Sequence, residues 1–154
     1  MNKEYMRLAI ELANKSVAEG GGPFGAVVVR DGEIISACAN RVTLDNDPTA
    51  HAEVTAIREA CSKLGSFSLE GCEIYASCEP CPMCLGAIYW AGIERVYYAA
   101  TRQHAAQAGF DDSMIYDQIP LQPEQRSVAC LRLESDSQQQ PFDLWQQKND
   151  KIEY

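Results

Sequence analysis

The chain has no uninterrupted apolar run long enough to cross a bilayer, for which a helix needs roughly 20 residues. Charged side chains interrupt residues 1–17, which predict an amphipathic helix rather than a signal peptide or a membrane span. Basic residues are also few: 13 Lys and Arg stand against 22 Asp and Glu, giving a formal net charge of −9. Because basic side chains supply most non-specific affinity for phosphate backbones, neither a nucleic acid nor an anionic membrane is the expected partner.

Internal repeats and long linkers are absent as well. A length of 154 residues, 46% of them hydrophobic, predicts one domain over 1–154 with a sizeable core. The seven cysteines are an odd number, whereas a secreted domain is expected to pair its cysteines. We therefore expect a cytoplasmic protein whose cysteines remain thiols.

Glycine, proline and aspartate divide the chain into short helices and strands. Strands are predicted at 26–29 and 34–39, joined by the hairpin pair Asp31-Gly32, and again at 73–77, 95–100 and 128–133. Helices are predicted at 1–17, from Asp47-Pro48 to Gly65, from Pro82 to Gly92, and more weakly at 101–108 and near 142–145. Helices that alternate with strands favour an α/β fold with a mixed sheet between helices.

Two segments that begin predicted helices carry metal-binding chemistry. Cys81 and Cys84 are three residues apart, which places both sulfurs on one face of a first helical turn, where the helix dipole favours thiolate. His51 adds a nitrogen ligand, and three protein ligands on tetrahedral zinc leave the fourth position to water, as in catalytic sites. Glu53 is then a free carboxylate beside that water, suited to general acid–base catalysis.

Other roles for these residues are open. Cys78, Cys81, Cys84 and His51 could form a closed structural zinc site, although Glu53 would then have no task. Cys78, Cys81 and Cys84 have a spacing found in ferredoxins, but the next ligand position is occupied by Ile88. Cys81 and Cys84 could also exchange thiol and disulfide, which would leave the spacing of His51 and Glu53 unexplained.

The spacing His-x-Glu followed by Pro-Cys-x-x-Cys is the signature of zinc-dependent nucleobase deaminases. Residues 22–26 (GPFGA), 46–53 (NDPTAHAE) and 78–87 (CEPCPMCLGA) resemble the cytidine deaminase superfamily. Residues 46–53 are similar both to guanine deaminases and to tRNA adenosine deaminases. Residues 108–113 (AGFDDS) and 151–154 (KIEY) resemble specifically the short bacterial guanine deaminases, and the likeness extends over nearly the whole chain, weakest at 122–140.

This resemblance implies a cytidine-deaminase-like fold with a central five-stranded sheet between helices, one catalytic Zn²⁺ per chain, and a homodimer that exchanges C-terminal segments, about residues 138–154. In the family, the asparagine matching Asn40 contacts the base, and the acid matching Asp112 contacts the base and moves protons. The terminal tyrosine, Tyr154 here, closes over the partner's active site. Phe24 is expected to line the substrate pocket, and Ala52 to contact the substrate. Without the resemblance, Asn40, Asp112 and Tyr154 are simply a turn residue, a loop residue and a terminus.

The substrate expected from the resemblance is guanine, deaminated at C2 to xanthine and ammonia. A carboxylate at Asp112 could accept a hydrogen bond from a purine N–H, and an analogue without that donor would leave it unpaired. A tRNA adenosine deaminase is the alternative enzyme, but the acidic chain offers few phosphate contacts. Cytosine, guanosine or an aminotriazine are further candidate substrates, and a zinc-binding scaffold without turnover is the non-enzymatic alternative.

Overall fold

The computed structural model of the protein describes residues 2–154. The chain divides into two units, one that ends at Asp112 and one that runs from Ser113 to Tyr154. The first unit contains the whole β-sheet together with five helices. In chain order its elements are α1 (Lys3–Ala18), β1 (Gly25–Arg30), β2 (Glu33–Ala39), α2 (Val42–Asp45), α3 (Ala52–Leu64), β3 (Cys72–Cys78), α4 (Pro82–Trp90), β4 (Arg95–Ala100) and α5 (Arg102–Gln107).

The sheet of the first unit is mixed, with strand order β2-β1-β3-β4. Strand β1 pairs antiparallel with both β2 and β3, whereas β3 and β4 run parallel. The predicted mixed sheet is confirmed, but within residues 2–154 it has four strands rather than five. The predicted strand at 128–133 is wrong, because that segment pairs with no strand and its large apolar side chains are exposed.

Helices cover both faces of the sheet, which explains the unbroken apolar run of β1. Alternate residues of a strand point to opposite faces. Val27, Val29 and Tyr75 pack with Ala9 of α1 on one face. The other face carries the larger core, which α3 and α4 complete, and its buried residues include Ala26, Val28, Ile74, Ala56 and Ile88. A strand buried on both sides is expected to be hydrophobic throughout.

Local turn chemistry fixes where the elements begin and end. Asp31 and Gly32 both have positive φ, as a two-residue hairpin turn between β1 and β2 requires, and this hairpin is confirmed. The predicted start of the next helix is wrong. Asp47 Oδ1 accepts hydrogen bonds from the Thr49 N–H and hydroxyl, so that its side chain closes a local turn, and α3 begins only at Ala52.

The second unit contains two helices and a 3-10 turn: α6 (Ser113–Gln118), the turn Pro123–Gln125, and α7 (Gln140–Gln147). Helix α7 matches the predicted final helix, whereas no helix was predicted over the residues of α6. Within residues 2–154, no helix is both long enough and apolar enough to cross a membrane.

Candidate active site

Two helix N-termini bring the candidate residues together. His51 is the N-cap of α3 and Cys81 the N-cap of α4, both in extended conformation, and neither side chain caps its own helix. The side chains of His51 and Cys81 can therefore contact each other. Pro82 at the first position of α4 suits this geometry, because its missing N–H would have no partner there. The exposed N–H groups of a helix start favour negative charge, such as a thiolate.

The ligand atoms of His51, Cys81 and Cys84 all lie within 4.8 Å of one another. The His51 Nδ1 atom is 3.5 Å from each sulfur. A tetrahedral zinc ion, about 2.0 Å from nitrogen and about 2.3 Å from sulfur, requires a nitrogen–sulfur separation of about 3.5 Å. The three side chains therefore fit zinc without rearrangement. The position of His51 before the helix also explains how it can converge with Glu53, although residues two apart within a helix diverge.

The third cysteine of the motif region, Cys78, is not part of this group. Cys78 ends β3, and its thiol hydrogen-bonds to the Thr101 carbonyl at 3.6 Å. Within residues 2–154, the only group of three or more potential metal-ligating side chains is His51, Cys81 and Cys84. This arrangement supports neither a closed site with three cysteines nor an iron–sulfur cluster.

Glu53 lies in the first turn of α3, beside the three potential zinc ligands His51, Cys81 and Cys84, which we call the metal group. Only 6% of the surface of Glu53 is exposed. Its Oε2 atom accepts a hydrogen bond from the Cys84 thiol at 3.4 Å. Burial raises the pKa of the Glu53 carboxyl, with the charge of Cys81 acting in the same direction. A buried carboxylate next to a metal site and outside the ligand set is the arrangement that general acid–base catalysis needs.

The two thiols have opposite proton affinities in the metal-free protein. Hydrogen bonds with Cys84 and then with His51 lower the pKa of Cys81 to about 4, despite its burial. The hydrogen bond between the two thiols, followed by burial, raises the pKa of Cys84. The hydrogen bond to Cys81 also raises the pKa of His51. One thiolate is thus already present at neutral pH, and an incoming metal must displace the proton of the second thiol.

Asn40 follows β2, and only 6% of its surface is exposed. Its Oδ1 atom accepts from the backbone N–H groups of Val42 at 3.2 Å and Gly22 at 3.4 Å. Its main-chain carbonyl accepts from the buried Ser16 hydroxyl at 3.1 Å. Because these bonds hold the carbonyl end of the side-chain amide, the Asn40 amide nitrogen is left to donate to another group.

Phe24 and Asp112 belong to two different loops. The ring of Phe24 packs edge-to-face against Phe110, with ring centroids 5.0 Å apart and an interplanar angle of 87°. Asp112 is half-buried, and burial, followed by the charge of Cys81, raises the pKa of its carboxyl. Asp112 therefore lies close enough to Cys81 for the charge of Cys81 to change its pKa.

The two remaining predicted residues lie in different units. Ala52 is fully buried as the first residue of α3, directly between His51 and Glu53. Tyr154 belongs to the second unit and is 83% exposed. No role is predicted for Phe110 from the sequence. The signal for it was present, since a large aromatic residue follows the helix-ending Gly109 and precedes Asp112 by only two positions.

Three comparisons with known proteins agree with this geometry. Residues 1–100 match the family described as the cytidine and deoxycytidylate deaminase zinc-binding region. The chain is 52% identical to a guanine deaminase of Bacillus subtilis, and the match covers 100% of both proteins. It is 46% identical to a tRNA-specific adenosine deaminase of Aquifex aeolicus over 65% of this chain and 67% of that protein.

The fold comparison extends to the second unit. The X-ray structure of a guanine deaminase from Bacillus subtilis superposes with a TM-score of 0.97 at 51% identity, covering 100% of this chain and 99% of that one. The cytidine-deaminase-like α/β fold is thereby confirmed, and zinc is the metal that both the family and the donor set indicate. The chain belongs to the cytidine and deoxycytidylate deaminase zinc-binding family.

Proposed function

We propose that the protein catalyses the hydrolytic deamination of guanine to xanthine and ammonia. The observation that carries this proposal is the buried, non-ligating carboxylate of Glu53 beside the zinc-compatible group of His51, Cys81 and Cys84. Guanine is favoured over other bases because the guanine deaminase of Bacillus subtilis is similar over the entire length of the chain, including the segments beyond the zinc motifs.

The proposed chemistry assigns proton transfer to Glu53. His51, Cys81 and Cys84 would hold the zinc ion, which would supply Lewis-acid activation of a water molecule. Glu53 would take one proton from the attacking water and deliver it to a ring nitrogen as the oxygen adds to C2. It would then pass the remaining hydroxyl proton to the amine, which leaves as ammonia while C2 becomes a carbonyl. A buried carboxyl with a raised pKa suits a group that must alternate between its charged and neutral forms near neutral pH.

Asn40 and Asp112 are proposed to hold the purine. The amide nitrogen of Asn40 would donate to an acceptor on the base, since backbone N–H groups hold its Oδ1 atom. The Asp112 carboxylate would accept from a purine N–H and assist proton movement. Phe24 and Ala52 would line the pocket. A site built to receive a substrate N–H rejects analogues without it, because its acceptor would then remain unpaired.

A substrate screen tests this proposal. Ammonia release is measured with guanine, guanosine, cytosine, adenine, an aminotriazine and tRNA, using the zinc-loaded protein. We expect rapid release from guanine and little from adenine or tRNA. Comparable turnover of adenosine in tRNA would mean that the substrate is tRNA rather than guanine, with the same hydrolytic deamination chemistry. Zinc binding without turnover of any base would support the scaffold alternative.

The role of Glu53 is tested by Glu53→Gln, with Glu59→Gln as the matched control on the same helix. Glu59 is half-buried outside the group of His51, Cys81 and Cys84; it pairs with Lys63 and accepts a hydrogen bond from the Cys38 thiol at 3.1 Å. Loss of a general acid–base group costs about 10²- to 10⁴-fold in rate, so Glu53→Gln should lose that much kcat while its zinc content stays near one per chain. Glu59→Gln should keep the activity of the unmodified enzyme. Equal activities of the two variants would contradict the role given to Glu53.

We further infer that residues 1–154 act as one deaminase domain within a homodimer, in which the tail of about 138–154 reaches the partner and Tyr154 closes the partner's site. Exposed apolar side chains in the second unit support this inference, namely Val128, Leu131, Leu133, Phe142, Leu144 and Ile152. Side chains of this kind are expected to be buried in an assembly.

Hybrid dimers test the exchange. A Glu53→Gln chain has a defective site and an intact tail, whereas a Tyr154→Ala chain has an intact site and a defective tail. If tails are exchanged, a mixed dimer contains one site with both intact residues, and random mixing should restore about a quarter of the activity. If each tail serves its own chain, mixing restores nothing. Light scattering on the same samples reports whether a dimer forms at all.

We infer a cytoplasmic location. All seven cysteines are free in the structure, and four of them are buried, at positions 38, 72, 78 and 84. A reducing compartment keeps such thiols unpaired and keeps Cys81 and Cys84 available for metal. Fractionation of the producing cells, followed by thiol counting on the purified protein, would check this inference.

A further inference from the structure

Phe24 connects two loops that carry proposed substrate-binding residues. Its backbone N–H donates to the Gly22 carbonyl at 2.9 Å, and its carbonyl accepts from the Asn40 N–H at 2.9 Å. The Gly22 N–H in turn donates to the Asn40 side chain at 3.4 Å. Residues 22–24 and Asn40 therefore form one hydrogen-bonded frame, so that a shift of Phe24 moves the main chain of Asn40.

The ring of Phe24 reaches the second loop. It meets Phe110 edge-to-face at 5.0 Å, and Phe110 precedes Asp112 by two residues. The outer side of the Phe110 ring faces solvent, since 46% of its surface is exposed. Its N–H donates to the Ala105 carbonyl at 2.9 Å, directly after Gly109 in a left-handed conformation has ended α5. The aromatic pair is thus a direct contact between this loop and residues 22–24.

The aromatic pair also borders empty space. A cavity of about 340 Å³ is lined by Phe24, Phe110, Ser77 and residues of α1 and α5, among them Ile10 and His104. This cavity opens to the surface, so a displaced aromatic ring has room in it. If the Phe24 ring is shortened, Phe110 can turn into the cavity and take Asp112 with it.

We propose that Phe24 is a positioning residue that sets the distance between Asn40 and Asp112, through its backbone on one side and its contact with Phe110 on the other. This inference rests on the proposed function, in which Asn40 and Asp112 bind the substrate. It differs from a pocket-lining role in one respect. The effect of Phe24 on catalysis passes through Phe110, so changing both rings should cost no more than changing one.

Hydrogen–deuterium exchange of the substrate-free protein tests the structural half of the proposal. In Phe24→Leu, amides of 109–112 should exchange faster by several-fold, while β1 and α3 keep their protection. Phe24→Tyr retains the aromatic edge and should resemble the unmodified protein. Phe67→Leu, a change of an exposed ring beyond the far end of α3, is the matched control. Unchanged exchange of 109–112 in Phe24→Leu would overturn the proposal, whatever the substrate proves to be.

A double-mutant cycle tests the catalytic half. Phe24→Leu, Phe110→Leu and the double variant should each lower kcat/KM about tenfold, the size expected for loss of one aromatic pair, so that the effects do not add. Phe24→Tyr should recover most of the activity. If the losses multiply in the double variant, Phe24 contacts the base directly and the positioning role is wrong. If guanine is not turned over, the cycle is repeated with the base that is, and the exchange result stands independently.

Discussion

Gly25 is where α1 comes closest to the backbone of β1, and replacing it with alanine tests how tightly the helix is seated. A Cβ atom at Gly25 would lie 2.1 Å from the Ala9 carbonyl oxygen, 2.9 Å from the Ala13 nitrogen and 2.9 Å from Leu12 Cβ. Two of these three atoms belong to helix backbone, which cannot rotate away as a side chain can. The helix as a whole must therefore lift by about 1 Å, a gap that forfeits a quarter to a half of each dispersion contact beneath it.

The expected cost follows from what α1 buries. Ala9 and Ala13 are almost completely enclosed beneath the helix, and Tyr5, Leu8 and Leu12 pack around them. Overpacking of this kind costs about 1–3 kcal/mol, and strain on the hydrogen bond from the Gly25 N–H to Ser77 Oγ adds about 1 kcal/mol. We expect Gly25→Ala to lower the free energy of unfolding by about 3 kcal/mol and Tm by roughly 6–12 °C.

Urea and thermal unfolding, followed by circular dichroism, measure this effect. The matched control is Gly86→Ala in α4, where an added Cβ meets no atom within 4 Å and alanine is the better helix former. Gly86→Ala should match or exceed the stability of the unmodified protein by up to about 1 kcal/mol. Ordinary surface substitutions change the free energy of unfolding by up to about 0.5 kcal/mol. If Gly25→Ala changes it by no more than that, with an unchanged m-value, the close packing of α1 on β1 is refuted.

Two further predictions concern protons and metal. Zinc binding to the metal-free protein at neutral pH should release at least one proton, because the pKa of Cys84 is raised while Cys81 is already a thiolate. Titration calorimetry in buffers of different ionisation enthalpy measures this proton release. Zinc uptake without proton release would contradict the prediction. Burial, first of all, raises the pKa of Cys38 to about 12 from an ordinary value of 9.0, so between those values the folded state holds a proton that the unfolded chain has lost. The unmodified protein should therefore lose about 1 kcal/mol more stability between pH 8 and 10 than Cys38→Ala, and parallel pH profiles would show that Cys38 contributes nothing.

Most elements of the first unit could be predicted from the sequence because local signals and packing agree there. Asp31-Gly32 supplies the two positive φ angles of the hairpin turn, and the apolar run of β1 reflects burial on both faces. The zinc motifs could be predicted for the same reason. Each lies at a helix start, where the three-residue spacing places Cys81 and Cys84 together, and the matched signature adds His51 and Glu53.

The failures occurred where a pattern has two physical solutions. Asp47 can cap a helix or close a turn, and its hydrogen bonds with Thr49 select the turn. The apolar residues at 128–133 fit a strand, but a strand also needs a partner edge, which periodicity does not specify. The contact of Phe24 with Phe110 joins loops 86 positions apart, and no local signal encodes it. Of the candidate site, the metal group was therefore predictable, and the frame that aligns the substrate-binding residues was not.

The metal group draws on two helices that are separated in sequence by β3, with His51 on one side of that strand and Cys81 on the other. A partly folded chain in which only the β1–β2 hairpin and α3 have formed presents a lone imidazole, which holds zinc weakly. Tight capture awaits the docking of α4 on the growing sheet, so zinc loading becomes a late event that marks chains whose central strands are correctly assembled. Once captured, the ion ties the two helix starts together, and opening either one requires releasing it.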